Sequence, residues 1–439
     1  MDSEDLVKSW KLSFDYLTQS EMQDQANASH ILGAAQPLCV SGAKNDAQAI
    51  ARWLNSSKKN TLLNYRKTVF RFAAWFHATR KKPVSQMSFD DWVQYEHFLQ
   101  TLPDSWCGRN PKTFGDFEGG YRYFKAKLAA NSIVQEKRIV SSLFGWLSKT
   151  GYIHANPFLS DRRGQAEQSE EQGLDAFLGH SRKAIEPAAF EALRIFVECL
   201  DEPNEVQVAK KARLRFILDC LYYSGLRVSE LCEMRTNPKR LLTISTGEPP
   251  PRNYTYSMIV FGKGRKYREV PMHQKSKRSY LEFRDSVSLP IGVKDYEDLP
   301  LLLDVNVKSI QSRKGFIKRL NPDKTFKDHV KLYPEMYQGI GRQAVYKILT
   351  KCYEDFQRWV LSDEGMQACA IDEAVAARLA SQFEGKHVHS LRHSFGTNMV
   401  VKTGVEVTSK LMGHETPTTT MQYVSLGDSA SYAAVSKID

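Results

Sequence analysis

Six residues in the second half of the chain have the types and spacing that chemistry on an anion requires. Arg227 lies in Ser224-Gly-Leu-Arg-Val-Ser-Glu-Leu231, where Gly225 breaks one apolar helix and Ser229 to Leu231 begin another. Glu230, three residues on, can hold that guanidinium from behind. Lys263 sits between two glycines in Phe261-Gly-Lys-Gly-Arg-Lys-Tyr-Arg-Glu-Val-Pro271, at the tip of an expected hairpin from which an ammonium can reach into a groove. In His387-Val-His-Ser-Leu-Arg-His-Ser-Phe395, His389 and Arg392 are three apart, so one helix face offers both to the same anion, while His393 is expected to point elsewhere. His414 and Tyr423 follow in Leu411-Met-Gly-His-Glu-Thr-Pro-Thr-Thr-Thr-Met-Gln-Tyr423, with Pro417 suited to open a short helix. Taken singly, each segment also has an ordinary structural reading: an Arg–Glu pair, a glycine turn, a packed tyrosine. A zinc site at His387, His389 and His393 fails for want of a fourth ligand and of His-Glu-x-x-His spacing, so no metal is expected.

Those residues need a scaffold, and composition bounds what kind. The 439 residues carry 61 Lys or Arg against 50 Asp or Glu, an excess of +11 that suits an anionic partner such as nucleic acid but is shared by enzymes that bind none. The length suggests two or three domains. With 42% hydrophobic and 25% charged residues, the chain reads as soluble and globular, which excludes disorder, collagen and coiled coil. No run approaches the ~18 apolar residues of a membrane span. The mixed charges of MDSEDLVKSWKLSFDYL are unlike a secretory leader, and the expected location is the cytoplasm. Seven cysteines without a Cys-x-x-Cys indicate neither a disulfide framework nor a zinc finger.

Four segments follow from the patterning. Residues 1–46 are a slightly acidic lead-in with no assigned role. Residues 47–160 read as a small all-α domain. Leu62, Val69, Phe72, Ala73 and Phe76 recur near a 3.6 period within Thr61–Arg80. Ser88 and Asp91 form a capping box ahead of Trp92, Tyr95, Phe98 and Leu99, and a helix over Ile133–Lys149 stops at Gly151. Between Lys58 and Lys82 stand eight Lys or Arg and no acid, a stripe from which Arg66, Lys67 and Arg71 are expected to touch phosphates. Residues 161–183 have linker composition. Residues 184–439 begin with helices over Ile185–Leu200 and Ala209–Tyr223, form a hairpin over Tyr254–Met272 and return to helix. The fold class is mainly α with a small β-hairpin, α+β.

In order and spacing, the four motifs resemble the tyrosine recombinase (phage integrase) family, whose pattern is Arg, Lys, His-x-x-Arg, His or Trp, and Tyr. Arg227, Lys263, His389, Arg392, His414 and Tyr423 fill it in turn, with Glu230 supporting Arg227. The match is specific over about 184–425 and looser over 47–160, which looks like the family's core-binding domain and ends in Gly-Tyr-Ile-His-Ala-Asn-Pro157. Lys263 and His389 are 126 positions apart, and about Asp304 to Gly339 reads as an insertion relative to compact members.

The resemblance implies a site-specific recombinase in which the two domains close on DNA as a C-shaped clamp. Tyr423 attacks a phosphodiester to leave a 3′-phosphotyrosyl bond, and strands exchange through a Holliday junction. Arg227 and Arg392 supply fixed positive charge to the transition state, with His389 and His414 as further donors. Lys263 protonates the leaving 5′-oxygen. No cofactor is implied, because the phosphotyrosyl bond keeps the energy of the phosphodiester. Arg265 and Lys266 of the hairpin, together with Arg268, are expected to face phosphates. Expected partners are double-stranded DNA carrying recombination sites, three further copies of the chain in a synaptic tetramer that is held by the tail 425–439, and accessory proteins. Two other readings stay open on the sequence: a type IB topoisomerase that relaxes supercoils, and a DNA-binding relative that does no chemistry.

Overall fold

A computed structural model describes residues 39–57, 59–108, 122–160, 183–245, 247, 254–262, 266–294, 297–317, 322–414, 418–421 and 423. The chain divides into two compact units, Met1–Glu167 and Gln168–Asp439. The lead-in 1–38, most of the expected linker (161–182) and the tail 424–439 lie outside the described residues.

The described part of the first unit is helical, built from α1 (Asp46–Asn55), α2 (Lys59–Arg80), α3 (Phe89–Gln100) and α4 (Ala130–Lys149). The expected capping box opens α3: Ser88 Oγ accepts from the Asp91 N–H, and the Asp91 carboxylate accepts from the Ser88 N–H at 2.8 Å. Period 3.6 then places Val69, Phe72 and Phe76 of α2 against Trp92, Tyr95 and Leu99 of α3 and Val140, Leu143 and Phe144 of α4, all exposed by 1% or less. Each such side chain contributes about 1.5–3 kcal/mol. Phe72 centres the cluster, with ring centroids 5.2 Å from Tyr95 and 6.3 Å from Phe144.

The basic stripe on α2 is less uniform in space than in sequence. Arg71 turns inward, donates to both oxygens of Glu136 on α4 and stands over the Phe124 ring at 4.7 Å. Arg80 and Lys82 reach Asp91 at 3.1 and 2.7 Å. Carboxylates missing from the local window are supplied by α3 and α4, and Arg71 packs within this unit through Glu136. Lys67 stays exposed and Arg66 half-buried.

The second unit is arranged around α6 (Glu205–Ser224), which follows α5 (Pro187–Cys199). Asn204 caps α6 by accepting from the N–H groups of Val206 and Gln207, and Phe216, Ile217, Leu218, Cys220 and Leu221 bury its middle. After α7 (Val228–Glu233) comes a three-stranded antiparallel sheet of β1 (Leu241–Ser245), β2 (Tyr254–Phe261) and β3 (Tyr267–Pro271), in register Leu241↔Met258↔Val270. Strands β2 and β3 are the expected hairpin. Strand β1, which buries Leu241 and leaves Thr243, Ile244 and Ser245 open, is not expected from the sequence. Helix α8 (Gln274–Ser286) and, much later, α14 (His389–Met412) pack on α6.

The expected insertion is a folded side branch of α9 (Val307–Ile317) and α10 (Pro322–Leu332). Its two ends meet: the Asp304 N–H donates to the Gln338 carbonyl at 2.7 Å and the Ile340 N–H to the Leu302 carbonyl at 3.0 Å. Arg313 plugs the branch by donating to the Met336 carbonyl at 2.9 Å, and His329 Nδ1 meets the Tyr337 hydroxyl at 2.7 Å. Helices α11 (Arg342–Val360), α12 (Asp363–Cys369) and α13 (Glu373–Ser381) complete the shell before α14, and α15 (Thr418–Met421) follows it. Among the described residues, no helix is long and apolar enough to cross a membrane.

Candidate active site

Helix α6 ends at Gly225 in the left-handed conformation, φ +61°, where a Cβ would also meet the Phe395 ring at 2.2 Å. Glycine is required there twice over. The chain reverses, and Arg227 becomes the residue that precedes α7. The Glu230 carboxylate, 5% exposed, accepts four bonds: the Arg227 N–H at 2.8 Å, Arg227 Nη1 at 2.8 Å, Arg268 Nη1 at 3.0 Å and Arg268 Nη2 at 2.8 Å. Two donors on each oxygen fill its accepting capacity. Burial alone would raise its pKa; Arg268, then Arg227, outweigh that and hold it below the usual carboxylate value.

Arg268 is therefore not a phosphate contact on the hairpin. Its side chain is 10% exposed, and its Nε donates to the Leu411 carbonyl at 2.8 Å. Strand β3, α7 and the end of α14 are pinned together through this guanidinium. Gly413 allows the close approach: it has φ +65°, and a Cβ there would lie 2.9 Å from Arg268 Cδ.

Helix α14 begins at His389 and carries Arg392, which is 2% exposed. The Arg392 guanidinium donates to the Gly225 carbonyl at 2.5 Å, to the Met412 carbonyl at 2.7 Å and towards His414 Nε2 at 3.0 Å. All three acceptors are neutral. Burial, then the nearby Arg227, lower its pKa to about 10, so it remains charged at neutral pH. Much of His389 is open to solvent, yet the protein crowding its ring, followed by Arg392 and Arg227, lowers its pKa too.

His414 receives Arg392 on Nε2, so Nε2 must be the unprotonated nitrogen and Nδ1 carries the hydrogen. That Nδ1–H donates to Thr420 Oγ1 at 2.7 Å. Burial, then Arg392, pushes its pKa down to about 4, consistent with a neutral ring. His414 thus orients Arg392 in this state instead of offering a donor of its own, which changes the role expected for it.

Tyr423, 4% exposed, stacks on His414 with interplanar angle 9° and centroids 5.9 Å apart. Its ring also lies 5.4 Å from that of His393 and occupies the space beside Gly396, where a Cβ would meet ring carbons at 2.8 to 3.0 Å. His393 does not point elsewhere. It is four residues after His389, on the same helix face, and the two rings are 5.4 Å apart. That i,i+4 spacing was the signal for it.

Arg227, Glu230, His389, Arg392, His414 and Tyr423 are brought together from three stretches of sequence. Lys263 and Arg265 lie outside the described residues, as does Pro417; the hairpin stem is closed by the Gly262 N–H donating to the Lys266 carbonyl at 2.9 Å, with Lys266 exposed. Among the described residues, no cluster of three or more His, Cys, Asp or Glu is placed to hold a metal ion. Among the described residues, three guanidinia, Arg227, Arg268 and Arg392, gather around the carboxylate of Glu230 and leave an excess of +2 beside the tyrosine. The arrangement suits an anion approaching a phenol.

No protein-family model matches the chain. It is 24% identical over 381 residues to a tyrosine recombinase of Thermosipho africanus, an alignment that covers 87% of this chain and 93% of the relative. It is 28% identical over 202 residues to the tyrosine recombinase XerC of Xanthomonas axonopodis pv. citri, covering 44% and 56%. The solved structure of the XerH site-specific recombinase bound to its palindromic difH substrate aligns with a TM-score of 0.52 at 16% identity, over 99% of this chain and 96% of that one. That likeness is one of fold. With the catalytic pattern, the sequence relatives make this chain similar to the tyrosine recombinases (integrases).

Proposed function

We propose that this chain is a site-specific DNA recombinase that cuts and rejoins strands through a 3′-phosphotyrosyl intermediate and a Holliday junction. The observation that carries the reading is Arg392, a buried guanidinium whose acceptors are all neutral, set beside a second arginine and a tyrosine. A buried cation without its own carboxylate is costly unless an anion arrives. A phosphodiester is that anion, and its pentacoordinate transition state carries more charge on the oxygens that two guanidinia can grip.

In the proposed step, the Tyr423 oxygen forms a bond to phosphorus as the bond to the 5′-oxygen breaks, and Lys263 gives that oxygen its proton. The phenol's own proton passes to the site's bases or to solvent. The free 5′-hydroxyl of a second duplex reverses the reaction and completes the exchange. The likenesses to recombinases named for two sequence relatives, and to a DNA-bound recombinase fold, support double-stranded DNA as partner. We extend the proposal to residues 47–160 as a core-binding domain, 161–183 as linker and 184–439 as the catalytic domain. Lys67, Arg66 and Lys266 are the phosphate contacts, and the working form is a tetramer of this chain on paired sites in the cytoplasm, with accessory proteins.

The test is a nicked suicide duplex drawn from candidate sites, followed by a two-site exchange assay. Covalent adduct together with recombinant product is expected. Adduct with relaxation of supercoils but no exchange would make the protein a topoisomerase, and binding without adduct would make it a non-catalytic relative.

A further inference from the structure

Thr420 is 0% exposed, and it touches the site twice. Its hydroxyl accepts from His414 Nδ1 at 2.7 Å, and its carbonyl accepts the Tyr423 N–H at 2.9 Å. The first contact fixes a tautomer. With Nδ1–H committed to Thr420, Nε2 keeps a lone pair facing Arg392, 3.0 Å away. The guanidinium is held from its other sides by the Gly225 and Met412 carbonyls, so the imidazole completes its orientation. The second contact fixes the turn that delivers the tyrosine.

We infer that Thr420 is a positioning residue that sets the placement of Arg392 and of Tyr423 together, through His414 on one side and its own carbonyl on the other. This rests on the recombinase reading above. A hydroxyl is needed because the partner is an N–H donor: valine has the same shape but offers nothing to accept it. The His414 ring would then be free to flip or to move its proton to Nε2, where it would confront an arginine donor with another donor. Arg392 would lose one of three acceptors in a buried setting. The α15 segment and the end of α14 are thus one device: whatever shifts Thr420 moves the phosphate grip and the nucleophile at once.

Full-length Thr420→Val and Thr420→Ser separate this from simple packing. In single-turnover cleavage of the suicide duplex, Thr420→Val is expected to be slowed about tenfold or more, the effect of one hydrogen bond lost from a charged network. DNA affinity should stay close to the wild type, the melting temperature should fall by only a few degrees, and Thr420→Ser should recover most of the rate. A second readout does not depend on cleavage. With 15N-labelled histidine, the His414 ring should report a protonated Nδ1 in the wild type and Thr420→Ser, and a mixture or the other tautomer in Thr420→Val. Wild-type cleavage by Thr420→Val, equal loss in both variants, or an unchanged His414 tautomer in Thr420→Val would each overturn the inference. Absence of adduct from the wild-type protein would instead strike the recombinase reading, and the tautomer measurement would still decide the role of Thr420.

Discussion

Replacing Arg268 by methionine tests whether the site is pinned as described. Methionine keeps the length and packing of the stem but removes two hydrogen bonds to Glu230 and one to the Leu411 carbonyl. Glu230 is 5% exposed, so its carboxylate has little water to fall back on, although Arg227 still supplies two donors. Removing one partner of a buried pair costs about 3–5 kcal/mol, and the retained Arg227 bonds put this case near the lower end, about 3 kcal/mol. For a unit of this size that corresponds to a fall of about 6–12 °C in its melting temperature. The sign with pH also follows. Glu230's folded pKa is depressed, so its stabilisation is present above the ordinary carboxylate pKa and is lost as pH falls through the folded value. Without Arg268 that folded value rises and the margin shrinks, so acid unfolding of Arg268→Met should begin at higher pH. Arg268→Lys keeps the charge but not the fork, and should fall between the two. Scanning calorimetry of the full-length proteins measures this. A shift below about 2 °C, under 1 kcal/mol on the same conversion, would refute the clamp.

Three further outcomes are expected. Gly396→Ala adds a methyl group within 2.8 to 3.0 Å of the Tyr423 ring, so suicide-substrate cleavage should drop at least ~10-fold while duplex binding persists; alanine's better helix propensity, about 1 kcal/mol, helps the fold survive. Arg71→Met should destabilise the first unit by about 3 kcal/mol in urea unfolding and leave the salt dependence of DNA binding unchanged, whereas Lys67→Ala should reduce that slope by about one phosphate contact. His77 and His414 are both held by burial near pKa 4, below the ordinary 6.5. The unfolded chain therefore binds protons that the native state refuses between those values. Their contribution is complete above about pH 6.5 and lost as pH falls towards 4, and His77→Leu should flatten the stability profile measured across that window.

Much of this was legible because it is local. The Ser88–Asp91 box, the glycine stop at Gly225, the Arg227–Glu230 pair and the β2–β3 hairpin all depend on neighbours within a few residues, which a sequence displays directly. What was misread depends on distant neighbours. Arg71 looked like part of an uncompensated basic stripe because Glu136, its partner, lies 65 residues away on another helix. Arg268 looked like a hairpin cation, yet it alternates with Val270 and Met272, and that period of two points it to the buried face. Strand β1 escaped notice because Leu241–Ser245 is short and mostly exposed, and pairing with β2 is what makes it a strand. The tautomer of His414 could not be read from sequence at all, since it follows from which groups meet its two nitrogens.

In the proposed reaction, the Tyr423 hydroxyl supplies the oxygen of the protein–DNA bond. The most direct measurement traps the protein on a nicked suicide duplex, digests both partners and locates the residual nucleotide by mass spectrometry. A single modified peptide with the phosphate ester on Tyr423 is expected, and none in Tyr423→Phe, whose ring still packs on His393 and His414. A nucleotide carried by any other residue, or an undiminished adduct in Tyr423→Phe, would contradict it.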